Sequence, residues 1–154
     1  MSSQAALAHI VAALDAAGIP HMVAGSFAST FHGNPRTTQD IDLVIDPTRD
    51  ALDRFVRSLA PADFYVSAEA AGEAWGRRGL FNVIDLASGW KIDLILRKDR
   101  PFSRVEFERR MPARILGTDV FVATAEDTIL AKLEWAQLGE SDRQLRDVVG
   151  VIEL

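Results

Sequence analysis

The chain has 154 residues, of which 48% are hydrophobic and 25% charged, a balance typical of one soluble globular domain. It has no cysteine, which excludes disulfides and thiolate metal sites; no apolar run reaches membrane-span length, and the start lacks a signal-peptide pattern. The formal net charge of −5 argues against holding a polynucleotide by bulk charge, although a local cleft can still be basic. We therefore predict a single cytoplasmic domain, residues 1–154, with no membrane segment.

The first part of the chain predicts a helix, a strand and a glycine turn. Apolar residues recur at helical spacing from about Gln4 to Ala17, which predicts an amphipathic helix. A strand from His21 to Ala24 follows. Gly25-Ser26 then turns into a short helix that ends at Gly33-Asn34-Pro35. Together with the next strand, this order predicts a βαβ-like opening.

The strand from Gln39 to Ile45 carries two carboxylates on one face. Side chains alternate along a strand, so Asp40 and Asp42 stand side by side while the apolar residues between them point into a core. Like charges held that close cost free energy unless a cation, a proton or a hydrogen-bond donor compensates them. The pair therefore predicts a metal site.

A hairpin in the middle of the chain carries a third carboxylate. Its strands are predicted at Leu80–Leu86 and Trp90–Leu96, joined by a three-residue loop that ends in glycine. This register predicts that Asp85 lies opposite Lys91. Asp93 would then lie on the same face, next to Lys91.

The remaining segments predict helices and a second hairpin. Apolar stripes or caps predict helices at about Leu52–Leu59, Thr124–Leu138 and Leu145–Ile152. Ala68–Trp75 is predicted as a short helix or an ordered loop, Phe64–Val66 as a short strand, Arg100–Ala113 as a polar helix or loop, and a hairpin is predicted around Gly117-Thr118-Asp119. Thr124 is the predicted N-cap of the helix that ends at about Leu138, which would turn Leu130 and Leu133 inward. The last helix ends inside an apolar pattern, so we expect another subunit, a partner protein or a C-terminal extension to cover it.

These elements predict an α/β (α+β) fold, in which helices flank a mixed β-sheet and further helices follow at the C-terminus. A carboxylate pair on one strand and a third carboxylate on a neighbouring strand can hold one or two Mg²⁺ ions, which take oxygen ligands and leave positions for phosphate. The turn at Gly25-Ser26 suits phosphates, because glycine lets the backbone come close and the N–H groups of a following helix favour an anion.

In this order the motifs resemble those of the polymerase-beta-type nucleotidyltransferase superfamily: Gly25-Ser26, then Asp40-Ile41-Asp42-Leu43, then Asp93 within Lys91-Ile92-Asp93-Leu94-Ile95. The chain is most similar to small bacterial members that include abortive-infection and toxin-antitoxin nucleotidyltransferases. The segments Arg36-Thr37-Thr38 and Lys132-Leu133, with Arg143 and Asp147 after them, also resemble that group.

The resemblance implies transfer of a nucleoside monophosphate from a nucleotide triphosphate to an acceptor hydroxyl, with release of pyrophosphate. It implies that Asp40 and Asp42 bind two Mg²⁺ ions and that Asp93 completes the first metal site and helps to activate the acceptor. It also implies binding of the triphosphate by a set of polar residues: Gly25 and Ser26, with Arg36, Thr38 and Lys132 as helpers. The acceptor is an RNA end, a protein hydroxyl or a small hydroxylated molecule.

Each signal also has an ordinary structural interpretation. Asp-x-Asp pairs arise by chance, Gly25-Ser26 can be a plain turn, and Asp93 can be a strand residue paired with a lysine. Arg36 can be a surface charge, and Lys132 a solvated helix position. The alternative function is a non-catalytic nucleotide- or protein-binding module of the same fold, such as one partner of a toxin-antitoxin pair. Three carboxylates kept together favour the enzyme.

Overall fold

The computed structural model describes residues 3–24, 40–137 and 151–152. The helices in these ranges are α1 (Ser3–Ala16), α2 (Arg49–Ser58), α3 (Ala68–Arg77), α4 (Pro101–Glu108) and α5 (Ala125–Gln137), and residues 151–152 are also helical. The strands are β1 (His21–Ala24), β2 (Asp40–Ile45), β3 (Phe64–Val66), β4 (Leu80–Asp85), β5 (Lys91–Leu96), β6 (Met111–Ile115) and β7 (Thr118–Val122). Among these helices, none has both the length and the apolarity that crossing a membrane requires.

The seven strands form one mixed sheet in the order β3-β4-β5-β2-β1-β7-β6. The pairs β2/β5 and β1/β7 are parallel, and the other neighbours are antiparallel. The predicted mixed sheet with flanking helices is therefore confirmed. The βαβ-like opening is wrong, because β1 runs antiparallel to β2, with His21 opposite Ile45. Short apolar strands carry no signal for direction, which is decided by the neighbours they pair with. The predicted helix before Gly33 lies outside the described residues.

The core lies on one face of this sheet, under α1, α2 and α3. Alternate residues of the two central strands, such as Ile41, Leu43 and Ile92, are fully buried against α1 and α2. Burying a side chain of this size stabilises the fold by about 1.5–3 kcal/mol. The strands are held in this orientation by that burial, so Asp40, Asp42 and Asp93 must point to the opposite face.

The opposite face is covered at one end by α4. Phe107 of α4 packs with Met22 and Ala123, and Val44 of β2 lies against this cluster. The guanidinium of Arg110 lies over the ring of Phe107 at 4.3 Å and over a second ring, that of Phe121, at 4.9 Å. Helix α4 thus covers the carboxyl-terminal half of β2. The amino-terminal end of β2, where Asp40 and Asp42 lie, stays partly exposed.

The second hairpin is confirmed, but its turn lies earlier than predicted. The loop consists of Leu116 and Gly117, whose φ angles of 51° and 76° are those of a type I′ turn. Thr118 and Asp119, which were expected in the loop, instead begin β7. Leucine rarely adopts positive φ, so no local signal marked Leu116 as a turn residue.

Helix α5 has the predicted cap but not the predicted orientation. The backbone N–H of Asp127 donates to Thr124 Oγ1 at 3.1 Å, which confirms the N-cap. Leu130 and Leu133 are 51% and 38% exposed, however, whereas Lys132 is only 6% exposed. The expectation that the two leucines face inward is wrong, and so is the interpretation of Lys132 as a solvated position.

Arginines at the two ends of α4 give the physical reason for this inverted orientation. Arg109 Nε lies 3.6 Å from the buried Asp127 Oδ2, and Arg100, just before α4, donates to Glu134 at 2.8 Å. Charged residues of α5 can be buried only where residues of opposite charge lie close to them. Most of the predicted last helix lies outside the described residues. Of its final residues, Val151 is buried and Ile152 exposed, so Ile152 does not face the core as the apolar pattern suggested.

Candidate active site

The parallel pairing of β2 with β5 brings the three predicted carboxylates onto one face. Asp42 lies opposite Asp93 in the register, and Asp40 lies opposite Lys91. Residues opposite each other on neighbouring strands point to the same side of the sheet. Asp40, Asp42 and Asp93, which are far apart in sequence, are therefore neighbours in space, as the motif order predicted.

The third strand of this face adds a residue that sequence reasoning missed. Asn82 of β4 lies opposite Asp93 and points to the same side, so Asp42, Asp93 and Asn82 form a row across three strands. Its amide can donate to a carboxylate or to a ligand. The correct hairpin register would have identified Asn82 from sequence.

The predicted register of that hairpin is wrong by one residue. Ile84, not Asp85, lies opposite Lys91, because the loop between the paired residues Asp85 and Trp90 has four residues instead of three. A slip of one residue moves a side chain to the other face of a strand. Asp85 is consequently buried on the core side, where its carboxylate accepts a hydrogen bond from Ser88 Oγ at 2.5 Å. It supports the turn and does not pair with Lys91.

Lys91 instead lies between two of the site carboxylates. Its Nζ is 3.9 Å from Asp40 Oδ2 and 3.8 Å from Asp93 Oδ1. Both distances are longer than a hydrogen bond, so these contacts are charge pairs. Asp93 Oδ1 is buried and has no hydrogen-bond partner among the residues that the structure describes. A buried carboxylate oxygen without a donor is costly, and it is a free ligand position.

The carboxyl of Asp42 lies in an environment that disfavours its charge. Burial, then charge repulsion and a hydrogen bond from Asp93, and then the charge of Asp40 act together against the partial opposition of Lys91, and they raise the pKa of Asp42 from 3.8 to about 6. The carboxylates at the centre of the site thus need a proton or a cation.

The residues present fit a divalent metal ion. Carboxylate oxygens are the ligands that Mg²⁺ takes, and Mg²⁺ is commonly held by one or two carboxylates together with water and substrate phosphates. Within residues 3–24, 40–137 and 151–152 no three Asp, Glu or His side chains form a ready-made metal cage. The protein ligands would be Asp42 and Asp93, with Asp40 beside them, and phosphate oxygens would fill other positions.

Most of the predicted phosphate-binding residues lie outside the described residues, namely Gly25, Ser26, Arg36 and Thr38. Ala24, the last residue of β1, lies opposite Asp42. The described part of β1 therefore ends beside the carboxylates. Lys132 is buried on α5, and its role in nucleotide binding stays a prediction.

The fold is shared with solved nucleotidyltransferase structures, although no protein-family model and no curated protein sequence matches the chain. One similar structure is an antigenic nucleotidyltransferase-like protein from Paracoccidioides brasiliensis, with 18% identity, a TM-score of 0.68, and coverage of 97% of this chain and 75% of the other. Another is the lincosamide antibiotic adenylyltransferase LnuA with lincomycin bound, with 10% identity, a TM-score of 0.64, and coverage of 98% and 96%.

A third similar structure is ANT(2")-Ia in complex with adenylyl-2"-tobramycin, with 18% identity, a TM-score of 0.60, and coverage of 97% of this chain and 88% of the other. At these identities the likeness establishes the fold. The chain has the polymerase-beta-type nucleotidyltransferase fold that its motifs predicted. The carboxylate face of β2 and β5 is its candidate active site.

Proposed function

We propose that this protein is a Mg²⁺-dependent nucleotidyltransferase, which moves a nucleoside monophosphate from a nucleotide triphosphate to an acceptor hydroxyl and releases pyrophosphate. The observation that carries the proposal is the register of β2 with β5, which sets Asp42 against Asp93 with Asp40 beside them. A binding module has no need of such a cluster, which is costly to keep: burial and repulsion from Asp93 raise the pKa of Asp42, and a buried oxygen of Asp93 has no donor among the described residues.

The residues of the site have separate tasks in this reaction. Asp40, Asp42 and Asp93 would hold one or two Mg²⁺ ions, which when bound stabilise charge on the attacking and leaving oxygens. Asp93 is only 18% exposed, and its Oδ1, which accepts no hydrogen bond from the described residues, is suited to accept the proton of the acceptor hydroxyl. The acceptor oxygen then bonds to the α-phosphorus, and the bond from that phosphorus to the bridging oxygen breaks. Pyrophosphate leaves with the electron pair.

We favour a small hydroxylated molecule as the acceptor. The open sheet face continues from Lys91 to Ile84 and Tyr65, and both Tyr65 and Leu80 are more than half exposed beside it. The net charge of −5 is unfavourable for an RNA acceptor. Two similar structures contain lincomycin or adenylyl-2"-tobramycin, which are small molecules of this kind.

Label transfer tests the proposal. The protein is incubated with Mg²⁺, each α-labelled nucleotide triphosphate, and a panel of aminoglycosides, lincosamides, total RNA or cell lysate. We expect label on a small molecule, and a loss of about 10²–10⁴-fold in rate for Asp93→Asn. Asp53→Asn on α2, which removes an exposed carboxylate paired with Arg49 on the surface, is the matched control and should keep the full rate.

A thermal-shift measurement separates the enzyme from the alternative binding module, such as a toxin-antitoxin partner. Mg²⁺ with a triphosphate should raise the melting temperature of the wild type, and Asp42→Asn should abolish that rise. A rise without transfer to any acceptor would favour the module. If Mg²⁺ and nucleotide change the melting temperature of neither protein, both the enzyme and the nucleotide-binding module are contradicted, and the protein-binding module is the function left.

A further inference from the structure

The ammonium of Lys91 occupies the position in the site where positive charge is needed. It lies 3.9 Å from Asp40 Oδ2 and 3.8 Å from Asp93 Oδ1, and so joins the carboxylates of two neighbouring strands. The parallel register that places Lys91 opposite Asp40 produces this arrangement. Asp42, whose pKa is raised chiefly by burial, also experiences the charge of Lys91.

The contacts of Lys91 with these two carboxylates are loose. Neither distance is short enough for a hydrogen bond, and Asp93 Oδ1 has no hydrogen-bond donor in the described ranges although the ammonium lies nearby. The Lys91 side chain is 41% exposed and has a flexible four-carbon stem. Its charge therefore offsets part of the negative charge of the cluster without filling a ligand position, and the ammonium is not held to Asp40 or Asp93 by a hydrogen bond.

We propose that Lys91 is the exchangeable counter-ion of this site: its ammonium holds Asp40 and Asp93 together in the absence of metal, and a divalent cation must displace it in order to bind. This inference rests on the proposed function, because it assumes a divalent ion at the carboxylates. It assigns to Lys91 a positioning role, which sets how tightly the site holds a metal ion.

Two effects of removing Lys91 oppose each other, and their magnitudes decide the direction. The loss of an organising charge would loosen the carboxylates, but the β2/β5 ladder already holds their backbone in place. The loss of repulsion is larger, because a divalent ion held by Asp40 and Asp93 would bring two positive charges close to an ammonium that lies 3.9 and 3.8 Å from oxygens of these carboxylates. Even with the dielectric constant of water and some salt screening, this predicts metal binding that is about tenfold tighter.

An ordinary surface ion pair predicts a different result. Pairs between partly exposed side chains contribute little, and their removal leaves distant properties unchanged. If Lys91 were only such a pair, its removal would leave the affinity for a divalent ion as it is. Metal affinity therefore distinguishes the two interpretations without any measurement of activity.

The test measures the affinity of the full chain for Mn²⁺ alone, by electron paramagnetic resonance of the free ion, in wild type and variants. We expect Lys91→Met to bind Mn²⁺ about tenfold more tightly. Lys91→Arg, which keeps the charge, should stay within about twofold of the wild type. Raising the salt concentration should shrink the difference between Lys91→Met and wild type.

Lys98→Met is the matched control. Lys98 follows the far end of β5, on the order of 20 Å from Lys91, and its Nζ donates to the carbonyl of Arg78 at 2.6 Å. The substitution makes the same change in net charge at a distance well beyond the screening length. Wild-type Mn²⁺ affinity is therefore expected. A tightening equal to that of Lys91→Met would show an effect of net charge alone and would overturn the proposal.

The other outcomes separate this proposal from the proposed function. If Asp42→Asn loses Mn²⁺ binding while Lys91→Met binds no more tightly than wild type, the role of Lys91 is wrong and the metal site stands. If Asp42→Asn binds Mn²⁺ like the wild type, the metal site itself is wrong. Circular dichroism checks folding, and Lys91→Gln replaces Lys91→Met in the same comparison if the latter is unfolded.

Discussion

A half-buried glutamate on α4 should make the stability of this protein depend on pH. Burial, with charge repulsion from Asp127 and against the partial opposition of Arg100, raises the pKa of the Glu106 carboxyl from 4.5 to about 7. The folded state therefore binds a proton more tightly than the unfolded state does. Stability from this group is fully present below about pH 4.5 and is lost as the pH rises through about 7.

The magnitude follows from the same values. Because each tenfold change in proton affinity corresponds to about 1.4 kcal/mol, a rise from 4.5 to about 7 corresponds to at most about 3 kcal/mol of unfolding free energy. Partial exposure of Glu106 screens this effect, so we expect about 2 kcal/mol. Glu106→Gln keeps the shape of the side chain and removes the charge. The variant should match the wild type near pH 4.5 and be more stable by about 2 kcal/mol at pH 8.

Urea denaturation followed by circular dichroism at pH 5 and pH 8 measures this difference. Glu108→Gln, an exposed residue of the same helix, is the control and should change little at either pH. Other titrating groups cancel because wild type and variant share them. The reasoning would be refuted if the advantage of Glu106→Gln were the same at both pH values, or if it appeared only at low pH.

Two further predictions concern the carboxylate cluster and α5. Because burial and Asp93 raise the pKa of Asp42 to about 6, protons should compete with the metal. In Mn²⁺ titrations the affinity of the wild type should increase as the pH rises from 5 to 7.5, whereas Asp42→Asn should bind Mn²⁺ weakly at both pH values. An affinity that does not change with pH would count against the Asp42 site. Leu14→Ala in the core should destabilise the fold by about 2–5 kcal/mol, whereas Leu130→Ala on the exposed face of α5 should cost about 0.5 kcal/mol or less, in urea unfolding at one pH. Similar losses in the two variants would show that Leu130 is buried after all.

Local sequence patterns were sufficient to predict several features of the fold. Helical spacing placed α1 within one residue at each end, and strand alternation put Asp40 and Asp42 on the face away from the core. The order of the motifs was enough to indicate the nucleotidyltransferase fold and to name Asp93 as the third carboxylate. The bounds of α1 and the orientation of Asp40 and Asp42 depend on neighbours along the chain, whose geometry repeats in every helix and strand, whereas the fold and Asp93 were predicted from the resemblance of the motifs.

Features that depend on distant partners were not accessible in this way. A loop with one more residue than expected moved Asp85 into the core side and placed Asn82 beside Asp93. The direction of β1 depended on its pairing with β2. The choice of which face of α5 is buried depended on the arginines at the ends of α4. Apolar spacing alone predicted wrongly that Leu130 and Leu133 face inward, because it contains no information about charged neighbours.

The sequence by itself determined which side chains could form the site, since carboxylate spacing and strand alternation are local properties. Only the tertiary structure decided which carboxylates the ammonium of Lys91 contacts. Its ammonium meets Asp40 and Asp93 because β5 lies parallel to β2 in one particular register. That register is selected by the total burial of both strands against α1 and α2, a sum over many distant contacts that no single segment of the chain contains.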